Sequence, residues 1–393
     1  MRSSADVVII GGGCMGVSVA YHLARLGMQN IVLLEREQLL GAGSTGKCAG
    51  GARLQFSSES NIRLSLESID ILERFEDELG QSIDFRQDGY MFLLSEASTV
   101  DTFRKNFELQ QRLGVPVEWL DVDEACRRAP GMTRENLRAA TFCGRDGIAD
   151  PNSVTMGFAK AAQQLGVTIE REVEVTGIGL DADRITEIQT SAGPIETRIV
   201  VNAAGPWSHQ IGQMVATNIP VQPFRRHIFI ADVPPDPKGL PHEARTSPST
   251  RILTIDFDTT FYFHRESTGI LFGMGDPDEP SSFEQSVNWD LLERIAPVAA
   301  RRLPILADAG ISTAWAGLYE MTPDAMPIIG PVPERPGFFI ISGFSGHGFQ
   351  HSPAAGRILA DIITNRSPGE IDLAPFAFDR FERGNGVREG NVV

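Results

Sequence analysis

The chain has 393 residues, of which 42% are hydrophobic and 22% charged, a composition that excludes disordered, collagen-like and membrane-embedded proteins. Lys and Arg total 35 against 51 Asp and Glu, so the net charge of −16 argues against nucleic acids and anionic membrane surfaces as partners. The four cysteines form no CxxC pair, which favours free thiols in a reducing compartment, and no metal site is predicted.

The first residues predict neither a secretory signal nor a membrane span. Asp6 precedes the first apolar run, and three glycines at 11–13 interrupt it, which would break the helix of a signal peptide. No apolar window reaches the roughly 18 residues that a membrane span needs. A cytoplasmic protein is therefore expected.

The first predicted elements form a β-α-β unit around a glycine motif. A buried strand at 6–10 is followed by Gly11-x-Gly13-x-x-Gly16, a helix and a second strand that ends at Glu35. Gly11 allows a tight turn, Gly13 lets backbone N–H groups approach a pyrophosphate, and Gly16 permits close helix packing. Glu35 would accept hydrogen bonds from ribose hydroxyls. The motif therefore predicts a dinucleotide site, and the alternative is a glycine turn without a ligand.

Later elements complete the predicted organisation. They are a helix at 60–79, strands at 85–94 and 113–120, a helix at 151–165, strands at 167–169, 173–178 and 195–201, mostly β structure at 220–275, a strand at 338–342, a glycine loop at 343–348 and a helix at 353–363. The pattern predicts an α/β (α+β composite) protein: a Rossmann-like nucleotide-binding domain with an interleaved substrate domain on an antiparallel or mixed β-sheet. The nucleotide-binding domain is expected at 1–84, 145–219 and 320–383, the substrate domain at 85–144 and 220–319, and a flexible tail at 384–393.

Four further motifs carry a family resemblance. They are Gly43-Ser44-Thr45-Gly46, the segment 200–207 with the sequence VVNAAGPW, Thr322-Pro323-Asp324, and the segment 343–349 with the sequence GFSGHGF. In this order, over nearly the whole chain, they resemble the flavoprotein family of sarcosine oxidase, glycine oxidase and D-amino-acid oxidase. The segment 44–56 is particularly similar to the β subunit of dye-linked L-proline dehydrogenase.

The resemblance implies FAD as the cofactor. The glycine loop ahead of the last predicted helix would stabilise the negative charge that reduced flavin develops, although an ordinary strand end and loop are the alternatives for these segments. Gly317 stands where monomeric sarcosine oxidase has its flavin-bonding cysteine, and Lys47 stands near the histidine used by dimethylglycine dehydrogenases, so noncovalent FAD is expected. The expected FAD-binding residues are Gly11, Gly13, Cys14, Met15, Gly16, Glu35, Arg36, Ser44, Thr45, Lys47, Val173, Ala203, Gly205, Trp207, Gly317, Gly343, Gly346, His347, Gly348, Phe349 and Gln350.

Four residues are expected in the catalytic site. Arg53 aligns with the arginine that holds the substrate carboxylate in sarcosine oxidase, with a surface salt bridge as the alternative. Tyr262 matches a pocket tyrosine of the family and is nearly as well explained by core packing. His347 is expected beside the flavin as a structural hydrogen bonder. Gln350 replaces a lysine that assists carboxylate binding, which weakens the assignment to sarcosine.

The expected function is FAD-dependent oxidation of a secondary or N-methyl amino acid, such as sarcosine, proline or dimethylglycine. A hydride equivalent would pass from the C–H beside nitrogen to flavin N5, and water would hydrolyse the imine. Leu271 stands near an oxygen-activating lysine of sarcosine oxidase, so a dye or quinone competes with O2 as acceptor. A noncatalytic FAD-binding subunit or assembly factor and an NAD-dependent enzyme are the alternatives. A homo-oligomer is left open, as is a partner subunit with a second flavin, FMN.

Overall fold

The computed structural model describes residues 2–233, 251–384 and 386–392. In these ranges the α-helices are α1 Cys14–Arg25, α2 Glu59–Glu73, α3 Phe75–Leu79, α4 Ala97–Arg112, α5 Val122–Arg128, α6 Pro151–Gln164, α7 Ser208–Gln213, α8 Trp289–Arg302, α9 Gly348–Ile363 and α10 Arg380–Arg383.

The strands alternate with these helices along the same described ranges. They are β1 Val7–Ile10, β2 Ile31–Glu35, β3 Gly51–Ala52, β4 Tyr90–Leu94, β5 Val117–Leu120, β6 Ala139–Cys143, β7 Gly147–Ile148, β8 Thr168–Arg171, β9 Val175–Asp181, β10 Arg184–Thr190, β11 Ile195–Glu196, β12 Val200–Asn202, β13 Gln222–Asp232, β14 Leu253–Asp256, β15 Phe261–Glu266, β16 Gly269–Gly273, β17 Gly310–Met321, β18 Ile328–Pro331 and β19 Phe338–Ser342.

A six-stranded sheet carries the predicted β-α-β unit. Its order is β18-β19-β12-β1-β2-β8, and every pair is parallel except β18 with β19. All four residues of β1 are buried, because α1 and further elements cover the sheet and apolar β-branched residues suit a strand that is covered on both faces. Val8 pairs with Val200, which brings the end of β12 beside the glycine motif.

The second large sheet has eight strands. Its order is β17-β13-β16-β15-β14-β4-β6-β5, with β4 and β14 parallel and the other pairs antiparallel. Its strands come from 90–143 and 222–321, between the segments that build the six-stranded sheet. The predicted fold class, with a mixed second sheet, is confirmed. The domain boundaries stay a prediction.

Two predicted helices have different bounds in the structure. The helix expected at 60–79 is divided into α2 and α3 at Arg74, which has φ −101° and ψ 6°. The helix expected from Pro353 begins at Gly348 instead. Pro353 has no N–H group to donate to the carbonyl of Phe349, four residues earlier in α9. It is tolerated there because the Phe349 carbonyl accepts a hydrogen bond from Ser352 Oγ at 2.8 Å instead.

The tail that was expected to be flexible is docked on the protein in the structure. Residues 386–392 lack a run of apolar anchors, but polar contacts dock them onto the start of α2. The Glu389 carboxylate accepts hydrogen bonds from Ser57 N at 2.8 Å, Ser58 Oγ at 2.7 Å and Asn61 Nδ2 at 3.0 Å. Glu389 and Asn391 are buried. The prediction was wrong because it considered only apolar contacts as anchors.

The described residues also bear on membranes, metals and thiols. None of their helices is both long and apolar enough to cross a bilayer. Within the same ranges, no group of His, Cys, Asp and Glu is arranged to hold a metal ion. Cys14, Cys48, Cys126 and Cys143 are free thiols. The cytoplasmic location stays a prediction.

Candidate active site and cofactor groove

A cavity of about 560 Å³ is lined by residues of both large sheets. All the predicted site residues line it except Gly16 and Gly343. We call the surroundings of Gly11, Gly13 and Glu35 the dinucleotide part of the cavity. The surroundings of Arg53, with three tyrosines described below, are called the tyrosine part. The sequence prediction therefore brought together residues that are more than three hundred positions apart.

Gly16 and Gly343 are corrections to the predicted contact set. A Cβ on Gly16 would lie 1.9 Å from the Gly11 carbonyl oxygen, so this glycine allows α1 to pack on the turn rather than lining the cavity. Gly343 has φ +78°, and a Cβ there would lie 2.5 Å from Thr322 Cγ2. Gly16 is required by backbone packing, and Gly343 by its positive φ and the nearby Thr322 side chain.

The dinucleotide part is built mainly from backbone. Gly13 is the N-cap of α1 and supplies no side-chain cap, and the first turn holds no acidic residue, so the positive end of the helix faces the cavity. Glu35 Oε2 accepts a hydrogen bond from Gly12 N at 2.7 Å, and Oε1 accepts one from Glu37 N at 2.9 Å. These bonds hold the carboxylate at the end of β2, where its remaining lone pairs can accept ribose hydroxyls.

The loop at 44–47 joins the dinucleotide part to β17. Cys14 N donates to Thr45 Oγ1 at 3.2 Å, and Ser44 Oγ donates to the Leu318 carbonyl at 2.6 Å. Lys47 Nζ donates to Gln285 Oε1. A Cβ on Gly317 would lie 2.9 Å from Lys47 Cβ, so the loop and β17 approach each other at a position that favours glycine.

Aromatic and cationic side chains line the wall beyond Glu35. The Arg36 guanidinium lies 4.0 Å from the centre of the Trp207 ring, a cation–π distance. Trp207 stacks in turn on Phe283, with ring centres 5.6 Å apart. Ala203, Gly205 and Val173 line the same region. Such a flat wall of small residues and a tryptophan can accept the planar and sugar groups of a dinucleotide.

The loop at 343–348 is held by Glu320. This half-buried carboxylate accepts hydrogen bonds from Phe344 N and Ser342 Oγ, each at 3.2 Å. Burial raises the pKa of Glu320 to about 7, although these hydrogen bonds lower it. Glu320 lines the cavity and was missed by the sequence analysis, although it lies two residues before the Thr322-Pro323-Asp324 motif.

His347 has both ring nitrogens engaged. Nε2 lies 3.3 Å from the Ala325 carbonyl, which can only accept, so Nε2 carries the hydrogen. Nδ1 then accepts from His351 Nδ1 at 3.3 Å, and Ser65 Oγ donates to His351 Nε2 at 2.7 Å. Burial lowers the pKa of His347 to about 3. This geometry fits a structural hydrogen bonder and argues against a base.

Arg53 is buried, with 6% of its surface exposed, and lines the tyrosine part. Its guanidinium donates to the carbonyls of Gln55 and Asn391 and lies 3.9 Å from the centre of the Phe56 ring. It forms no salt bridge with any carboxylate of the described residues, so the surface salt bridge considered above is excluded for them. Burial lowers the pKa of Arg53.

Gln350 is oriented by the backbone of Arg53. Arg53 N donates to Gln350 Oε1 at 2.6 Å, which leaves Nε2 as the donor available to the cavity. Gln350 is therefore placed to donate a neutral hydrogen bond beside the guanidinium.

Three tyrosines line the cavity, and each lies over a glycine; Tyr90 is buried, and Tyr262 and Tyr319 are half-buried. A Cβ on Gly51 would lie 1.5 Å from Tyr90 Oη, one on Gly273 2.4 Å from Tyr262 Oη, and one on Gly346 2.3 Å from Tyr319 Cε2. Burial raises the pKa of all three phenols. Tyr262 was predicted; Tyr90, Tyr319 and Arg226, which lines the same part, were missed because nothing local in the sequence marks them.

Comparisons with known proteins agree with this geometry. The family model described as "DAO: FAD dependent oxidoreductase" matches residues 6–362. FAD-dependent oxidoreductase domain-containing protein 1 of Bos taurus is 31% identical, covering 99% of this chain and 87% of that protein. Mitochondrial dimethylglycine dehydrogenase of Rattus norvegicus is 29% identical over 97% of this chain, which spans 45% of that relative.

Solved structures give the same result. L-proline dehydrogenase from P. horikoshii superposes with a TM-score of 0.88 at 31% identity, covering 99% of this chain and 100% of the other. Glycine oxidase from Geobacillus kaustophilus has a TM-score of 0.83 at 24% identity, covering 96% and 99%, and shows similarity of fold.

Proposed function

Because the chain belongs to the DAO family of FAD-dependent oxidoreductases, we propose that it oxidises a secondary or N-methyl amino acid at the C–N bond with noncovalently bound FAD. Family membership also contradicts the NAD-dependent alternative. The relatives named for proline and dimethylglycine support this substrate class. Gly317 supports noncovalent binding, because it offers no nucleophile and a side chain there would meet Lys47.

The observation that carries the proposal is the Arg53 guanidinium. It is buried at the cavity wall without a carboxylate partner among the described residues, although acidic residues outnumber basic ones in the chain. A buried cation that forms no ion pair is costly, and a substrate carboxylate would pair with it. Gln350 Nε2 and the Tyr262 hydroxyl offer neutral donors in the same cavity.

The residues present fit FAD. The dinucleotide part offers a helix N-terminus for the pyrophosphate and Glu35 for the ribose, and the cavity continues to Arg53. When bound, FAD would supply the two-electron oxidation by accepting a hydride equivalent from a C–H bond beside nitrogen; the iminium product would release its N–H proton to give the imine, which water would hydrolyse. Arg53 binds the substrate carboxylate and so sets which C–H bond faces the cofactor. Turnover is expected to rise with pH, because only the neutral amine has a lone pair to drive C–H cleavage.

The proposed electron acceptor is a dye or quinone. Support comes from the two relatives named as dehydrogenases. The sequence argument from Leu271 does not support it, since Leu271 is buried in β16 and is not among the residues that line the cavity. Reoxidation of the reduced protein by air as fast as turnover would contradict a dehydrogenase.

The visible spectrum of the purified protein tests the proposal. We expect a flavin spectrum that is bleached under anaerobic conditions by sarcosine, proline or an N-methyl amino acid, and acid precipitation is expected to release the colour from the pellet. Flavin that no amino acid bleaches would contradict the proposal and favour a noncatalytic FAD-binding subunit or assembly factor. A yellow pellet would contradict noncovalent binding.

Three other features are proposed on the sequence alone. They are the cytoplasmic location, the domain boundaries and a complex with a second chain, whether a copy or a partner subunit that adds FMN. Size-exclusion chromatography with flavin extraction checks the last of these, since FMN in the extract requires a second flavin site.

A further inference from the structure

Arg226 is a second cation of the tyrosine part that has no acidic partner. It lies on β13 opposite Gly317 of β17 and lines the cavity. Its Nη1 donates to the Arg225 carbonyl at 2.9 Å, while Nε is buried without a hydrogen-bond partner. It forms no salt bridge with any carboxylate in the described part of the chain.

Other arginines packed into this protein are neutralised. Arg225, the neighbour of Arg226 in the chain, contacts Glu279 at 2.9 Å; Arg302 contacts Asp256 at 2.8 Å, and Arg380 contacts Asp324 at 2.7 Å. The chain has 51 acidic residues against 35 basic ones, so carboxylates are not scarce. Since an unpaired buried donor costs free energy, the two arginines left without acidic partners at the cavity point to anions that arrive with a ligand.

Tyr319 connects the two cations. Its ring centre lies 5.2 Å from the Arg226 guanidinium carbon, and the ring packs over Gly346. Burial raises the pKa of Tyr319, and the charges of both Arg226 and Arg53 lower it, so both guanidinium groups act on the same phenol. Arg226 and Arg53 both line this cavity, so they belong to one binding region.

We propose that Arg226 binds a second acidic group of the substrate, so that the preferred substrate is a secondary or N-methyl amino acid with two carboxylates. This inference rests on the proposed function, in which Arg53 binds one substrate carboxylate. A guanidinium suits this role because it is permanently charged and presents a planar set of donors. A single carboxylate would leave one of the two cations without a counter-charge.

Matched acid and amide substrates test the inference, because each pair differs by one charge at nearly constant shape. The pairs are N-methyl-L-glutamate with N-methyl-L-glutamine, and N-methyl-L-aspartate with N-methyl-L-asparagine. The measurement is anaerobic flavin reduction by stopped flow, as the ratio of rate constant to dissociation constant. In at least one pair we expect the acid to exceed the amide by about 10- to 100-fold, the range for charged hydrogen bonds.

Variants at Arg226 locate the preference. Arg226→Met is expected to bring the acid-to-amide ratio to about one, and Arg226→Lys to retain part of it. Flavin content and thermal stability are recorded for each variant. If Arg226→Met does not bind flavin, the wild-type ratio and Arg226→Lys still decide.

Two results would overturn the inference: wild-type ratios near one in both pairs, as expected if one carboxylate is shared by both arginines, or a wild-type preference that Arg226→Met leaves intact. Sarcosine and proline serve as the reference. If they reduce the flavin while the acids show no advantage, only this inference fails. If no amino acid reduces the flavin, the proposed function fails as well.

Discussion

The dinucleotide part and the tyrosine part of the cavity are built by different means. The first uses backbone: glycines that must lack a Cβ, the start of α1, and a Glu35 side chain held by two amides. The second uses side chains, with Arg53, Arg226 and Tyr262 contributed by separate segments. A backbone site accepts a common group such as a pyrophosphate, whereas a side-chain site can change its substrate by single substitutions.

The largest expected effect tests the backbone half of this comparison. Gly16→Ala places a Cβ 1.9 Å from the Gly11 carbonyl oxygen, so α1 must move away from the turn. Overpacking of this kind costs about 1–3 kcal/mol. We expect purified protein with little flavin, measured as the ratio of absorbance at the flavin and protein bands.

Gly310→Ala is the matched control, since a Cβ there meets no heavy atom within 4 Å. We expect this variant to retain its flavin. Full flavin content in Gly16→Ala would show that the dinucleotide part tolerates a side chain, and the contrast between the two parts would not hold.

The next effect tests the side-chain half. Arg53→Met removes the guanidinium that is proposed to bind the substrate carboxylate, and we expect KM to rise about 10- to 100-fold while flavin stays bound. Steady-state kinetics with an artificial acceptor measures this. Arg127→Met, at a side chain that is 73% exposed, is the control. An unchanged KM for Arg53→Met would remove Arg53 from the site.

The substitution Glu389→Gln tests whether residues 386–392 support the tyrosine part of the cavity. Burial raises the pKa of Glu389, but hydrogen bonds from Ser57, Asn61 and Ser58 and the Asn391 amide lower it further, so the net shift is downward. Stability from such a carboxylate is fully present above its unfolded value of about 4.5 and is lost as pH falls through the lower folded value. We expect Glu389→Gln to cost about 1–3 kcal/mol at pH 7.

Thermal unfolding from pH 3 to pH 7 measures this cost, which is expected to shrink below about pH 4.5. The exposed Glu382→Gln is the control. Because Asn391 accepts from Arg53, Glu389→Gln is also expected to raise KM. A stability loss with no change in KM would separate the tail from the site.

The smallest effect concerns Asp146, whose carboxylate binds the two residues that follow Arg53. Asp146 accepts from Leu54 N at 2.8 Å and from Gln55 Nε2 at 3.0 Å, and burial raises its pKa from 3.8 to about 7. A raised carboxyl pKa means that the folded state binds more protons between about pH 4 and 7, so this group's contribution to stability falls as pH rises through that window.

Asp146→Asn cannot titrate, so the melting temperature of the variant minus that of the wild type is expected to increase from pH 4 to pH 8. Differential scanning fluorimetry checks this slope. A constant difference would show that Asp146 keeps an ordinary pKa. The Asp146 carboxylate near Arg53 would then carry a full negative charge.

Local patterns predicted the dinucleotide part well. The strand, glycine turn, helix and Glu35 lie within thirty residues, and the requirement for glycine follows from backbone geometry that neighbouring residues define. The N-cap of α6 was predicted for the same reason: Asp150 accepts from Asn152 N and Ser153 N, two and three residues away. The family resemblance also indicated Arg53 and Gln350.

Only the tertiary structure added Tyr90, Tyr319 and Arg226 to the tyrosine part. The space for the Tyr90 side chain depends on the absence of a Cβ at Gly51, and that for Tyr319 on its absence at Gly346. Arg226 differs from Arg225 because Glu279 contacts only Arg225. The docking of the tail depends on Ser57, more than three hundred residues before Glu389. The amino-acid sequence alone determined where backbone must approach a ligand, because that is local stereochemistry. Which charges remain unpaired is decided by packing between distant segments, since a counter-ion is defined by distance in space.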